Sequence, residues 1–169
     1  MKYNNIVLIG MMGSGKSTVS KLLSEKLNLS LLDTDEIFEQ QENCKIVDFF
    51  KKYGEENFRK IESEILKKAL SKSNCVISTG GGIVLKGKNR ILLSDKNILT
   101  IYLSANYETI YNRIKNDKTR PLLLVENPKE EIKKILNSRE QFYNQAKVTI
   151  KTDTKTQAEI TEEILKIYG

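Results

Sequence analysis

The 169-residue chain has no histidine and no tryptophan, and only two cysteines and two prolines. Without histidine there is no Ser-His or Cys-His nucleophile pair, no imidazole base and no histidine-ligated zinc. Chemistry is left to carboxylates, lysine, arginine, hydroxyls, backbone amides and hard metal ions. Cys44 and Cys75 form no CxxC pair, so neither a disulfide framework nor a thiolate metal cluster is supported, and both read as packing or inert thiols. The longest apolar runs, such as Ile6 to Ile9 and Leu122 to Val125, fall far short of the roughly 18 residues a membrane span needs. Met1-Lys2-Tyr3 runs straight into a strand-like segment with no apolar signal core, so the expectation is a cytoplasmic protein without membrane contact. Repeats, low-complexity tracts and Pro/Gly-rich linkers are also missing, which predicts one domain over residues 1–169.

What is present is an excess of positive charge, 28 Lys and Arg against 22 Asp and Glu, for a net +6. Such a balance fits nucleic-acid binding, an anionic small substrate, or a lysine-rich solvated surface. No clustered basic stretch is interleaved with aromatics, which weighs against nucleic acid. Only five of the basic residues are arginine: Arg59, Arg90, Arg113, Arg120 and Arg139. In a chain that uses lysine for surface charge, each arginine raises the question of whether a planar, bidentate donor is needed there.

Apolar periodicity predicts five strands, at Asn5–Ile9, Leu29–Leu32, Cys75–Ser78, Ile98–Leu103 and Val148–Ile150. Helical stripes separate them. Val19, Leu22, Leu23 and Leu27 follow Ser17, and Phe58 to Leu70, Tyr107 to Ile114, Ile132 to Tyr143 and Ile160 to Tyr168 come in turn. Strands alternating with helices predict a three-layer α/β/α fold around a parallel sheet, with ligands at the carboxyl ends of the strands.

The strongest motif is Gly10-Met11-Met12-Gly13-Ser14-Gly15-Lys16-Ser17, a full G-x-x-x-x-G-K-[ST] between a predicted strand and a predicted helix. Its glycines allow a turn whose amides point inward, and the N-terminus of the next helix adds partial positive charge. Gly13, Ser14, Gly15, Lys16, Ser17 and Thr18 are thus the candidate ATP-phosphate residues, with the Ser17 hydroxyl available to Mg2+. No N-K-x-D for guanine is present, and the third and fourth strands do not end in an aspartate. A metal-facing carboxylate must come from elsewhere, and Asp33-Thr34-Asp35 closes the second strand. Two carboxylates there could divide the work between a metal's water shell and an acceptor hydroxyl, or Asp33 or Thr34 could simply cap the helix over Glu36 to Gln40.

Gly80-Gly81-Gly82 comes after the third strand and removes every side chain from one wall of such a site. Arg139 lies on the apolar stripe of its helix, so it is either in a buried salt bridge or holding a ligand carboxylate. Arg59 precedes Glu62 by three residues, a spacing that gives either a weak surface pair or a brace for the guanidinium. The prolines bracket a segment around 117–128 that reads as an inserted loop, and Pro121 biases Arg120 toward extended backbone.

GMMGSGKST at 10–18, DTD at 33–35, FRKIE at 58–62, STGGG at 78–82, RPLL at 120–123 and SREQFYNQA at 138–146 together resemble shikimate kinase over nearly the whole chain. The resemblance implies an adenylate-kinase-like P-loop fold with a five-stranded parallel sheet in order 2-3-1-4-5. It also implies Mg2+- and ATP-dependent phosphorylation of the shikimate 3-hydroxyl. By position it implies Lys16, Asp35 and Arg120 as catalytic residues and Ser17, with Asp33 through water, for the metal. Arg59, Arg139, Gly80, Gly81 and Gly82 would hold shikimate, with Glu62 bracing Arg59. Arg113 resembles the residue stacked on adenine, and Lys151 to Thr154 matches the family's adenine loop only loosely. An acceptor region over about 33–62 and a lid over about 115–127 carrying Arg120 complete the expected monomer. Arg90 is assigned no role. Two rival readings are a P-loop kinase for another small acceptor such as gluconate or a nucleoside monophosphate, and a nucleotide-controlled switch or RNA-binding module. The Arg59, Arg139 and triple-glycine set argues against the first, and the unclustered charge against the second.

Overall fold

Strand β1 (Asn5–Ile9) is buried at every position. A computed structural model describes residues 3–116 and 125–169 of the chain. Ile6 and Leu8 join one apolar cluster and Val7 and Ile9 another, as the two-residue period of a strand requires when both sheet faces are covered. Five parallel strands lie in the order β2 (Ser30–Asp33), β3 (Cys75–Ser78), β1, β4 (Ile98–Ser104), β5 (Val148–Lys151). In register, Val7 is flanked by Ile77 and Thr100. The expected strand order and parallel direction are both observed.

One face of the sheet is covered by α1 (Lys16–Leu27) and α7 (Gln157–Tyr168), through Val19, Leu23, Ile160 and Ile164. The other is covered by α3 (Ile46–Leu70), α4 (Gly87–Leu93), α5 (Tyr107–Ile114) and α6 (Pro128–Tyr143), through Leu66, Leu93, Ile110 and Leu136. A third, smaller cluster lies between α2 (Thr34–Glu42) and α3, where Phe38 meets Phe49 edge-on at 5.0 Å and Phe58 at 4.7 Å. That cluster fixes the helix pair that forms the far wall of the cleft.

Four elements differ from the sequence expectation. Helix α3 begins at Ile46, well before the stripe from Phe58 that predicts it, and Gly54 inside it has φ 78° and ψ 166°. This conformation is essentially restricted to glycine, so the residue kinks the helix and re-aims the turns beyond it. Ile46, Phe49, Phe50 and Tyr53 do carry helical spacing, but the break hides their continuity with Phe58. The short α4 and the 3-10 turn at Ile83–Leu85 have no counterpart among the predicted elements, because Ile91 of α4 is exposed and the segment has no clean stripe. Helix α2 is also longer than the Glu36 to Gln40 core expected for it. Arg120, Pro121 and most of the expected lid lie outside the described residues.

Candidate active site

The loop after β1 turns into α1 through Gly15, the N-cap, at φ 98° in the left-handed region where glycine is favoured. This cap has no side-chain acceptor, and no acidic residue stands in the first turn of α1. By contrast α2, α5, α6 and α7 are capped by Asp33, Asn106, Asn127 and Thr156 side chains. The first amides of α1 are thereby left to an incoming anion, whose negative charge the helix dipole favours. Lys16 is 8% exposed and donates from Nζ to Gly10 O at 2.8 Å and Met11 O at 3.0 Å, which holds its charge against the loop. Ser14 is buried, its Oγ without a hydrogen-bond partner among the described residues, so it contributes backbone and shape.

Three adjoining cavities meet at this loop. One of about 280 Å³ is lined by Gly13, Gly15, Lys16, Ser17, Thr18, Asp33 and Asp35, with Thr79 to Gly81 opposite. A second of about 440 Å³ is lined by Arg59, Glu62, Arg139, Gly80, Gly81 and Gly82, with Phe50 and Phe58 as an apolar wall. Met12, Asp35, Gly80 and Gly81 line both. The third, about 370 Å³, lies on the other side of the loop and is lined by Gly13, Gly15, Arg113 and Lys155 among others. A larger cavity of about 610 Å³ lies beside Cys44 and Tyr53 and shares no lining residue with the cleft. It lacks the phosphate-facing amides, so size alone does not mark the site.

Asp33 caps the helix, one of the two roles the sequence left open for this segment, and it does so from the wall of the phosphate-side cavity. Its Oδ1 caps α2, accepting from Asp35 N at 2.9 Å and Glu36 N at 3.3 Å, and the residue also lines the phosphate-side cavity. Capping aims the next carboxylate, Asp35, at the seam between the first two cavities. Burial, then the neighbouring Asp33 charge, pushes the Asp35 carboxyl above its ordinary value, against opposing pulls from Lys16 and Arg59.

The Arg59–Glu62 pair is a buried brace. Arg59 Nη1 donates to Glu62 Oε1 at 2.9 Å and Oε2 at 2.8 Å, and the Glu62 side chain is 2% exposed. Burial pushes the Glu62 carboxyl up to about 6, with Arg59 pulling in the opposite direction. The guanidinium also lies over the Phe58 ring at 5.0 Å. Its other edge meets Glu55 at 3.1 Å from both Nε and Nη2, but that carboxylate is 56% exposed. An exposed pair is weak whereas breaking a buried one is costly, so a ligand carboxylate can replace Glu55 but not Glu62.

Two of the three glycines leave room for site side chains, while Gly81 would accept a Cβ at ordinary contact distance. A Cβ on Gly80 would come within 2.7 Å of Asp35 Oδ1, and one on Gly82 would fall inside the Arg59 guanidinium. Gly80 N donates to Thr34 Oγ1 at 3.2 Å, and Thr79 Oγ1 donates to Leu8 O at 2.9 Å, which anchors the turn to α2 and β1. On the opposite side the Tyr143 hydroxyl donates to Gly81 O at 2.5 Å and interacts with Arg139, while its ring stacks on Tyr102 at 4.9 Å. Arg139 lines this cavity and forms no ion pair among the described residues. Thr34, Thr79 and Tyr143 lie inside the quoted motifs, but these contacts are not legible there, since each joins a partner between 46 and 71 residues away.

Arg113 reaches back to the phosphate loop, donating to Gly13 O at 3.3 Å and to Thr152 Oγ1 at 3.1 Å and O at 2.6 Å. It lines the third cavity beside the loop predicted for adenine. As for a metal, Ser17, Asp33 and Asp35 present hard oxygen donors to one cavity. No group of three or more carboxylates or thiols forms a cage among the described residues. This donor set suits an ion that takes most of its ligands from phosphate oxygens and water.

A family model described as shikimate kinase matches residues 12–168. A shikimate kinase from Thermodesulfovibrio yellowstonii is 42% identical over 97% of this chain and 94% of its own length. One from Caldanaerobacter subterraneus subsp. tengcongensis is 43% identical over 97% and 95%. Among solved structures, the shikimate kinase from Acinetobacter baumannii in complex with shikimate superposes with a TM-score of 0.93 at 35% identity, covering 98% of this chain and 93% of that one. A gluconokinase from Sinorhizobium meliloti, at 15% identity and a TM-score of 0.61, shares the fold.

Proposed function

The chain belongs to the shikimate kinase family, and from that premise we propose that its cleft holds ATP and shikimate side by side. It transfers the γ-phosphoryl group to the shikimate 3-hydroxyl, giving shikimate 3-phosphate and ADP on the route to aromatic amino acids. The observation that carries this reading is the position of Asp35 on the seam between a cavity lined by the phosphate loop and one lined by Arg59 and Arg139.

Phosphoryl transfer passes through a loose transition state, so positioning and charge stabilisation do most of the work. The amides of Gly13 to Thr18 and the Lys16 ammonium cradle the phosphates, and Arg120 adds a second cation from the lid over about 115–127. Ser17 would hold Mg2+ directly and Asp33 through water; when bound, the ion supplies positive charge against the phosphate oxygens. Arg113 borders the nucleoside. In the acceptor region over about 33–62 and beyond, Arg59 and Arg139 grip the shikimate carboxylate by bidentate bonds, and the wall of Gly80 to Gly82 lets the ring lie close to backbone. Asp35 orients the 3-hydroxyl and takes its proton late, a role that its raised pKa favours once charge leaves the hydroxyl. The apolar faces of Phe50 and Phe58 help exclude water, which otherwise competes as acceptor.

In this reading the protein is a cytoplasmic monomer that works on small molecules, without nucleic acid or membrane. The test is ADP release with ATP and Mg2+, comparing shikimate, gluconate, AMP and no acceptor. Release dependent on shikimate alone supports the reading; equal release with gluconate or AMP would move it to another acceptor, and acceptor-independent release would remove it.

A further inference from the structure

Arg90 is the one arginine that the proposed chemistry leaves unused, and it is not a surface charge. From α4 its Nη1 donates to Val84 O at 2.7 Å and Leu85 O at 3.1 Å, the carbonyls of the 3-10 turn just beyond the triple glycine. On its other side the guanidinium lies over the Phe142 ring at 4.3 Å. Phe142 is the penultimate residue of α6, three positions after Arg139. Its neighbour Tyr143 holds Gly81 O. Two tethers therefore join the same pair of elements, one at each end of the segment from Gly81 to Leu85. The Tyr143 tether acts next to the pocket and the Arg90 tether acts behind it.

We infer that Arg90 is a positioning residue for recognition of the acceptor carboxylate: by clamping the Val84 and Leu85 carbonyls to Phe142, it sets the distance between the glycine wall and the Arg139 guanidinium. The chemistry asks for arginine at this place. One nitrogen, Nη1, meets both carbonyls while the planar guanidinium lies over the ring; a lysine can reach carbonyls but brings no flat face to the ring. Without the clamp, α6 stays attached through Tyr143 and the core residues Ile132 and Leu136, and the turn keeps its buried Ile83 and Val84 and the Asn89 bond to Ile83 O, so the fold persists while the Val84 and Leu85 carbonyls lose their link to Phe142. The phosphate loop is anchored separately, by Lys16 and Arg113. A defect at Arg90 should therefore fall on the acceptor and spare the nucleotide. The inference rests on the shikimate reading for the identity of the acceptor only.

The experiment is steady-state kinetics of wild type, Arg90→Met, Arg90→Lys and Phe142→Leu, varying acceptor and ATP in turn, with thermal midpoints alongside. Arg90→Met should raise KM for shikimate about tenfold while kcat and KM for ATP stay within about twofold. Arg90→Lys should recover part of that loss, since it keeps a cation over the ring and a donor to one carbonyl. Phe142→Leu should raise the same KM, and combining it with Arg90→Met should add little, because both remove one clamp. A purely structural role would lower the thermal midpoint and the fraction of active enzyme with KM unchanged, and that result overturns the inference. So does a parallel rise in both KM values. If Arg90→Met does not fold, Arg90→Lys and Phe142→Leu decide by the same criterion. If wild type shows no shikimate-dependent turnover, the substrate reading has failed, and the Arg90 test is then read on the acceptor that wild type does use.

Discussion

The phosphate loop recruits its groups from consecutive residues, Gly10 to Thr18, and much of what it offers an anion is backbone. The acceptor pocket on the other side of Asp35 draws Arg59 and Glu62 from α3, three glycines from beyond β3 and Arg139 from α6, and most of what it offers is side chain. A cradle of amides is set by local backbone dihedrals and the helix dipole. A pair of guanidinium groups must be held in place by something else, here Glu62, two phenylalanine rings and the Tyr143 hydroxyl. The phosphate side therefore tolerates little change in its own residues and leans on few distant side chains, Arg113 at Gly13 O among them. The acceptor side is exposed to changes in residues that touch no substrate.

The sharpest way to break this division is to strike each side and ask whether the damage crosses Asp35. Lys16→Ala should lower turnover about 10³-fold by removing transition-state charge, with acceptor binding retained in equilibrium titration. If acceptor affinity fell equally, the two sides would not be separable. At the seam, Asp35→Asn should lower turnover about 10²-fold or more while nucleotide binding survives. Near-normal turnover would remove Asp35 from the chemistry. On the acceptor side, Arg139→Ala should raise KM for shikimate about 10²-fold, the scale of a lost charged pair, with a smaller change in kcat and none in KM for ATP.

A smaller effect tests the brace. The folded Glu62 carboxyl lies at about 6 against an ordinary 4.5, so the folded state binds its proton more tightly than the unfolded chain does. Its contribution to stability is then present below pH 4.5 and lost as pH rises through about 6. A shift of that size corresponds to about 2 kcal/mol. Thermal midpoints measured across that window should fall in wild type relative to Glu62→Gln as pH rises; parallel curves would mean that burial of Glu62 is fully offset by Arg59. A change of similar size is expected from Gly54→Ala. It forces alanine into a backbone region it avoids, at about 1–3 kcal/mol of stability, and should disturb the acceptor KM more than that for ATP because Arg59 lies beyond the kink.

Legibility in the sequence runs along the same division. The succession of hydrophobic runs, the phosphate loop and its helix are local patterns, and each lies within a residue or two of its predicted place. Arg59, Arg139 and the glycines could be singled out as unusual, but only the combination of motifs across the chain put them in one pocket. The first half of α3 is hidden from a periodicity reading because Gly54 interrupts a stripe that resumes at Phe58 as the kinked helix continues. Arg90 carries no motif at all, since its partners are two backbone carbonyls and one ring, and carbonyls have no sequence signature.

By itself, then, the amino-acid order specified an alternating α/β chain with an anion-binding turn after its first strand, because dihedral preference and apolar period act between near neighbours. The tertiary structure decided which charges are buried. It buried Glu62 against Arg59 and left Glu55 exposed, and it turned Arg90 toward Phe142. Burial and the strength of a charge pair depend on what packs around a group, and those neighbours come from segments far apart along the chain.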